Sequence, residues 1–475
     1  MKKIIIFSLL FINRLLLGQS YAEKYVYYID TNAIKKHISI LSHDSLQGRM
    51  TGSPGQKIAA NYLKNHFKEQ YLKPLFGDSF YQNFVINKRV PSGYLIFNSD
   101  TLNYFKDYLL FNYEVSAKIE TSDVIYLPTE YKDIHKNDVK NKFILLTNRE
   151  VGDYDNNKLE NYFDKLKSYD AKGILYTTST IDDLRSIYKK DLEKTHYELN
   201  KKEEKESGFP LFFVDERIND YLNFDKKRDE RRYHKGKLNH PKKVGQIKGE
   251  INPNSEELFA QNVGAFLEPK AKTDESIVLL AHYDHIGIID GEIYNGADDN
   301  ASGVSVILEL SRLLSSAKKE LNIFDKNIIF LLVTGEEIGL LGSKHYVENS
   351  SFPLDQTRAV FNLDMVGREN KAGDDYSLFI IGGDRVNDNL ASFNKEINDK
   401  YVGLDFDYKY NDVNHEMNLF YRSDHYNFAK HGIPAIFYFG GFHEDYHKPT
   451  DTDEKILVNK INEVVKLMLF LVFEI

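Results

Sequence analysis

Several short stretches of this sequence gather imidazole and carboxylate groups: His282 and Asp284 in LLAHYDHIG, Asp298 and Asp299 in NGADDNASG, and Glu336 and Glu337 in VTGEEIG. Asp364 follows in FNLDMVG, and His447 in HEDYHKPTDT. Taken singly, each has an ordinary explanation. Paired aspartates suit the N-terminus of a helix, where side-chain oxygens cap and negative charge meets the helix dipole. A Glu-Glu pair suits a first helical turn, and an Asp or His after an apolar run suits a turn. Taken together they would crowd several like charges at one place, which is costly unless a cation neutralises them. Such donors hold divalent metals and move protons. Without any cysteine, thiolate metal sites, cysteine nucleophiles and disulfides are excluded.

The crowding follows from the elements that carry these residues. SIVLLAH, NIIFLLVT, AVFNLD and PAIFYFG are apolar runs bounded by polar turns, the pattern of strands buried on both faces. A helix over about residues 303–318 sets Val304, Ile307, Leu308, Leu310 and Leu314 on one broad apolar face. Strands alternating with helices predict an α/β fold with a mixed, mostly parallel sheet sandwiched by helices. In such sheets ligands bind beyond the carboxyl ends of the strands. His282, the Glu336–Glu337 pair and Asp364 all stand just there, and Asp299 opens the helix after the first strand.

The remainder of the 475 residues sets the context. At 42% apolar and 28% charged, the chain can bury a sizeable core. Its net charge of −9 gives no general attraction to nucleic acid or anionic lipid. Residues 1–22 combine a basic start, an apolar run from Ile4 to Ile12 interrupted soon after by Arg14, and small residues at Ser20 and Ala22. This reads as a cleavable export signal, predicting a periplasmic or secreted protein without stable membrane association. In SPGQKIAANYLKNHF, Ser53 is placed to cap a helix and Pro54 to occupy its first turn. Residues 88–250 have a different texture: short apolar runs such as KFILLT, KGILYTT and FPLFFV alternate with polar stretches. They predict a β-rich insert with a helix around residues 159–169, between a first segment (23–87) and a main domain (251–475). The basic stretch KKRDERRYHKGKLNHPKK is read as a solvated rim, because acids are interspersed in it.

AHYDHIG, NGADDNASG, TGEEIGLLGS, FNLDMVGR, SDHYNF and YHKPTDT, in this order, closely resemble the signature segments of the M28 metallopeptidases, a family of two-zinc aminopeptidases. LSHDSLQGRMTGSPGQKIAANYL resembles the stretch that precedes the catalytic domain in exported members, and the insert is similar in texture to their protease-associated domain. The resemblance implies two zinc ions held by His282, Asp299, Glu337, Asp364 and His447. Asp299 would bridge, with His282 and Asp364 completing one site and Glu337 and His447 the other. It also implies Glu336 as general base and Asp284 as the carboxylate that orients His282. Asp451 is a candidate for similar work near His447, and His425 for stabilising the tetrahedral intermediate. The implied activity is hydrolysis of the first peptide bond of substrates with a free N-terminus. The alternatives are a carboxypeptidase or dipeptidase on the same scaffold, a glutaminyl cyclase, and a noncatalytic receptor-like protein. The absence of tryptophan weighs against the cyclase, whose pocket uses it. By ligand type alone, manganese or cobalt would also fit.

Overall fold

The computed structural model describes residues 21–110, 117–127, 134–147, 163–200, 209–218, 228, 231–232, 241–252, 255–369 and 376–475. The expected signal segment lies almost wholly outside the described residues, as do much of the basic stretch and the start of the helix expected around 159–169. The chain divides into two units, one of Leu258–Ile475 together with the chain up to Ile86, the other of Asn87–Glu257.

The first unit is built on a mixed sheet. It includes the strands β1 (Ser255–Leu267), β2 (Ser276–His282), β3 (Asn327–Val333), β4 (Thr357–Asp364), β5 (Ser377–Ile381), β6 (Asp405–Asp407) and β7 (Ala435–Phe439). They lie in the order β6-β5-β7-β4-β2-β3-β1. The central four run parallel, with Leu280 opposite both Leu331 and Asn362, and Phe361 opposite Ile436. β1 joins β3 antiparallel, and β5 joins β7 antiparallel.

Alternation along the strands explains why this sheet has helices on both sides. In β2, Ile277, Leu279 and Ala281 enter one core, while Val278 and Leu280 enter another. β3 does the same, with Ile328, Phe330 and Leu332 on one face and Ile329, Leu331 and Val333 on the other. A strand with no polar face is stable only when both faces are covered. The larger core is closed by α1 (Thr31–Leu41), α2 (Pro54–Glu69), α3 (Gly303–Leu321) and α6 (Val458–Glu474), and the smaller by α4 (Leu341–Glu348) and α5 (His425–Ala429). Val304, Ile307, Leu308, Leu310 and Leu314 of α3 are fully buried, as the helical spacing predicts. Ser53 caps α2 by accepting the Gln56 N–H, with Pro54 in the first turn.

The second unit has its own eight-stranded sheet among the described residues. Its inner strands, Ala117–Tyr126, Phe143–Thr147, Gly173–Thr178 and Leu211–Asp215, run parallel to one another, and Lys242–Ile251 pairs antiparallel with the first of them. Separate apolar clusters pack its two faces. No described helix of the chain is long and apolar enough to cross a membrane.

Candidate metal centre

Parallel strands deliver their last residues to one edge of the sheet. β2 ends at His282 and β4 at Asp364, while β3 runs through Thr334 and Gly335 into Glu336 and Glu337. The Ala297–Ser302 turn brings Asp299 to the same edge, just before α3. The segment after β7 brings His447, whose φ of 54° lies in the left-handed region that non-glycine residues rarely adopt. Sparsely populated backbone of this kind tends to collect at functional sites.

The side chains form two clusters that share Asp299: His282, Asp299 and Asp364 in one, and His285, Asp299 and Glu337 in the other. His282 Nε2 stands 3.2 Å from Asp364 Oδ1 and 3.3 Å from Asp299 Oδ1. His447 Nε2 stands 3.2 Å from Asp299 Oδ2 and 3.2 Å from Glu337 Oε2. Thus one oxygen of Asp299 faces each histidine. Two donors on one tetrahedral zinc, at bond lengths of about 2.0–2.1 Å, stand about 3.3 Å apart. All four separations match that edge. His285 differs. Its Nδ1 is 2.7 Å from Glu337 Oε1, a hydrogen-bond length rather than a coordination edge, and 3.7 Å from Asp299. It orients the Glu337 carboxylate.

The charges act on one another strongly. Burial works to lower the His447 pKa, but its hydrogen bonds to Asp299 and Glu337 outweigh that and hold it up at about 10. Burial raises the Glu336 pKa well above the usual carboxylate range; His282 opposes this, and the negative charges of Glu337, Asp364 and Asp424 add to it. A carboxylate so placed has a high affinity for a proton, which suits a group that must take one up and release it. Burial, with the nearby charges of Asp299 and Glu337, keeps Tyr446 protonated, so its hydroxyl remains a donor.

Further residues support the first layer. Ser423 Oγ donates to Asp364 Oδ2 at 2.7 Å and accepts from Asn362 Nδ2 at 2.7 Å. Asn300 Oδ1 accepts the Gly303 N–H at the start of α3 and the Met365 N–H beyond β4, tying helix to strand. The contact is close: a Cβ on Gly303 would lie 2.4 Å from the Leu363 carbonyl oxygen, so only glycine fits. Neither aspartate of the quoted pair caps α3 with its side chain; Asn300 does that work. Asp298 is buried and accepts the Gly367 N–H at 2.7 Å, with His443 Nε2 3.3 Å from its other oxygen.

Asp284, Asp451 and His425 each have partners that their motifs do not reveal. The Asp284 carboxylate lies 3.8 Å from His282 Nδ1, beyond hydrogen-bond reach, because it is committed to the Thr51 hydroxyl (2.8 Å) and the Glu336 N–H (3.4 Å). The Asp284 main-chain carbonyl, 3.2 Å from that nitrogen, orients the ring instead. Asp451 serves Asp299, its carboxylate accepting the N–H groups of Asp298 and Asp299 at 3.0–3.2 Å. His425 is fully buried between Phe420 and Phe437 and is not on the pocket wall. The pocket is lined by His282, Asp299, Glu336, Asp364 and His447. Met365, Leu419, Phe437, Phe439, Phe442 and Tyr446 make an apolar wall, and Arg422 also lines it.

Residues 262–472 match the family profile described as peptidase family M28. Over 224 residues the chain is 31% identical to aminopeptidase YwaD of Bacillus subtilis, covering 45% of this chain and 44% of that protein. It is 32% identical over 240 residues to a probable leucine aminopeptidase of Arthroderma benhamiae, covering 49% of this chain and 62% of that protein. The matches therefore span about half of each of these relatives. Among solved structures, an aminopeptidase from Aneurinibacillus sp. strain AM-1 aligns over 94% of both chains, with a TM-score of 0.49 and 21% identity.

Proposed function

We propose, from the premise that residues 262–472 form a domain of peptidase family M28, that this chain is an exported two-zinc aminopeptidase that removes N-terminal residues from peptides. The observation that carries this reading is the division of Asp299, one oxygen toward His282 and the other toward His447, at the edge lengths of zinc tetrahedra. His282, Asp299 and Asp364 would hold one ion, and Asp299, Glu337 and His447 the other. The chemistry supplied by the metals when bound is polarisation of the scissile carbonyl and a lowered pKa for the attacking water. Glu336 is the general base: its carboxylate accepts a proton from that water and passes it to the leaving amine nitrogen. Tyr446, kept as a hydroxyl, lines the same pocket and is a donor for the substrate carbonyl oxygen. Carboxylates at one end of the pocket favour a cationic α-amine there, and the apolar wall favours an apolar side chain beside it.

Elemental analysis of unchelated, active protein tests the metal count. Two zinc per chain is the expected result, and at most one removes the dinuclear reading. The exopeptidase reading is tested by a leucyl chromogenic amide and its N-acetyl form. Cleavage should be confined to the unblocked compound, and equal turnover of both would exclude an aminopeptidase.

A further inference from the structure

Arg49 is a fully buried cation that, among the described residues, makes no hydrogen bond to any carboxylate. All its bonds go to main-chain carbonyls. Nε donates to Tyr283 O at 2.8 Å, Nη1 to Asn295 O at 2.7 Å and to Leu41 O, and Nη2 to Gly296 O at 3.1 Å. Tyr283 directly follows His282, and Gly296 stands three residues before Asp299. One guanidinium therefore ties the end of α1 to both ends of the connection between β2 and α3, next to His282 at its start and to Asp299 at its close. Neighbouring residues of the same turn and of α2 reinforce the tie. Thr51 holds the Asp284 carboxylate, Gln56 donates to the Tyr283 hydroxyl, and Asp44 accepts from Asn295 Nδ2. Gly48 packs main chain on main chain: a Cβ there would lie 2.4 Å from Tyr294 O and 2.6 Å from Gly287 O.

A buried charge is costly unless something compensates it, and four carbonyl dipoles do so only in part. The remaining compensation comes through space from Asp299, Asp284, Asp451 and Glu337. Burial pulls the Arg49 pKa down to about 10, so the charge persists at neutral pH.

We propose that Arg49 is a positioning residue of the metal centre, clamping the two ends of the connection between β2 and α3 so that His282 and Asp299 keep their separation. The clamp comes from a part of the chain outside the segment matched to the family, and it rests on the two-zinc reading above. Arg49→Lys is the informative variant, because it keeps the charge but cannot present the planar fork that reaches several carbonyls. Any change it brings is therefore one of geometry. Zinc affinity should be measured by competition with a chromophoric chelator, alongside the melting temperature in excess EDTA. The expected result is a zinc dissociation constant raised at least tenfold for one or both ions, beyond any loss of metal-free stability. A lower melting temperature with zinc affinity within threefold of wild type would make Arg49 merely structural and overturn the clamp. Should the lysine variant not fold, Thr51→Val removes the neighbouring brace on Asp284 with little change of volume. It is expected to weaken zinc at least threefold, and unchanged affinity there counts equally against the proposal. Wild-type protein that takes up no zinc would instead sink the two-zinc reading, which separates the two failures.

Discussion

Glu336 and Glu337 are neighbours in the chain, yet they serve different partners. Glu337 Oε2 stands 3.2 Å from His447 Nε2 and its Oε1 receives His285, whereas Glu336 belongs to neither ligand cluster and lines the pocket. The chain leaves β3 at this point, so successive side chains diverge. Glu336→Gln should therefore keep both metals and bind substrate nearly normally, while kcat falls by about 10²–10⁴-fold, the range for loss of a general base. Glu337→Gln should lose zinc from one site. Metal content and kcat measured on both variants decide it: near wild-type turnover in Glu336→Gln, or equal metal loss in the two, removes Glu336 from the centre of the mechanism.

The adjacent aspartates divide in a similar way. Asp299 turns both oxygens to histidines of the centre, while Asp298 holds the Gly367 N–H and faces His443. Asp299→Asn is expected to abolish activity and weaken both ions. Asp298→Asn should retain two zinc per chain and lose stability, by about 1–3 kcal/mol for a disturbed buried hydrogen bond. Zinc analysis with urea denaturation distinguishes them, and greater metal loss in Asp298→Asn would show that the bridge is misassigned.

The convergence of His282, Asp299, Glu337 and Asp364 was legible because strand endings are local: an apolar run stops, and the next residues fall at one edge of the sheet. What the side chains do with their second atoms was not. His285 shares a motif with His282, but nothing in its spacing reveals a hydrogen bond to Glu337, fifty-two residues later. Asp284 matches the orienting carboxylate that the family resemblance implies, but its bond to Thr51, from the far end of the sequence, is not legible in the motif. Nothing in the sequence singles out Arg49, since its partners at Tyr283, Asn295 and Gly296 meet it only after α1 and α2 pack. The division of labour between Asp299 and Asn300, ligand and helix tie, likewise depends on where β4 lies. Helix and strand periodicities report burial; the choice among buried polar partners is made in three dimensions.

The pocket wall leads to a specificity prediction. Phe442 packs against both Phe439 and Tyr446 with ring centroids 4.9 Å apart, forming a continuous aromatic surface beside the ligands. Burying a leucine or phenylalanine side chain contributes about 1.5–3 kcal/mol, so leucyl and phenylalanyl amides should exceed the glycyl amide by about 10–150-fold in kcat/KM. Arg422 adds a positive charge to the lining and should disfavour lysyl amides. Because this arginine is exposed, its effect is modest. Arg422→Ala should raise the lysyl-to-leucyl ratio by about 2–5-fold, the size of a screened surface interaction. An unchanged ratio would place Arg422 outside the substrate's reach.

Stability toward acid should depend on a buried histidine remote from the metals. His37 of α1 is 7% exposed, and its Nδ1 shares a 2.6 Å hydrogen bond with the Tyr62 hydroxyl. Burial, aided by His66, Lys36 and Arg312, lowers its pKa from 6.5 to about 3. The sign follows from proton counting. Below pH 6.5 the unfolded chain binds a proton that the folded one refuses, so stability falls as pH drops from 6.5 toward 3. Between about pH 7.5 and pH 5 this single group removes about 2 kcal/mol. His66, at a ring-centroid distance of 4.9 Å, is also lowered by burial and acts in the same direction. His37→Asn keeps an acceptor for Tyr62 but cannot titrate. Urea denaturation of both proteins at the two pH values, with EDTA present throughout, isolates the effect. The wild type should lose about 2 kcal/mol more than the variant on going to the lower pH, whatever their difference at neutral pH. A gap between the two that stays constant with pH would mean that His37 takes up its proton in the folded protein as readily as in the unfolded chain.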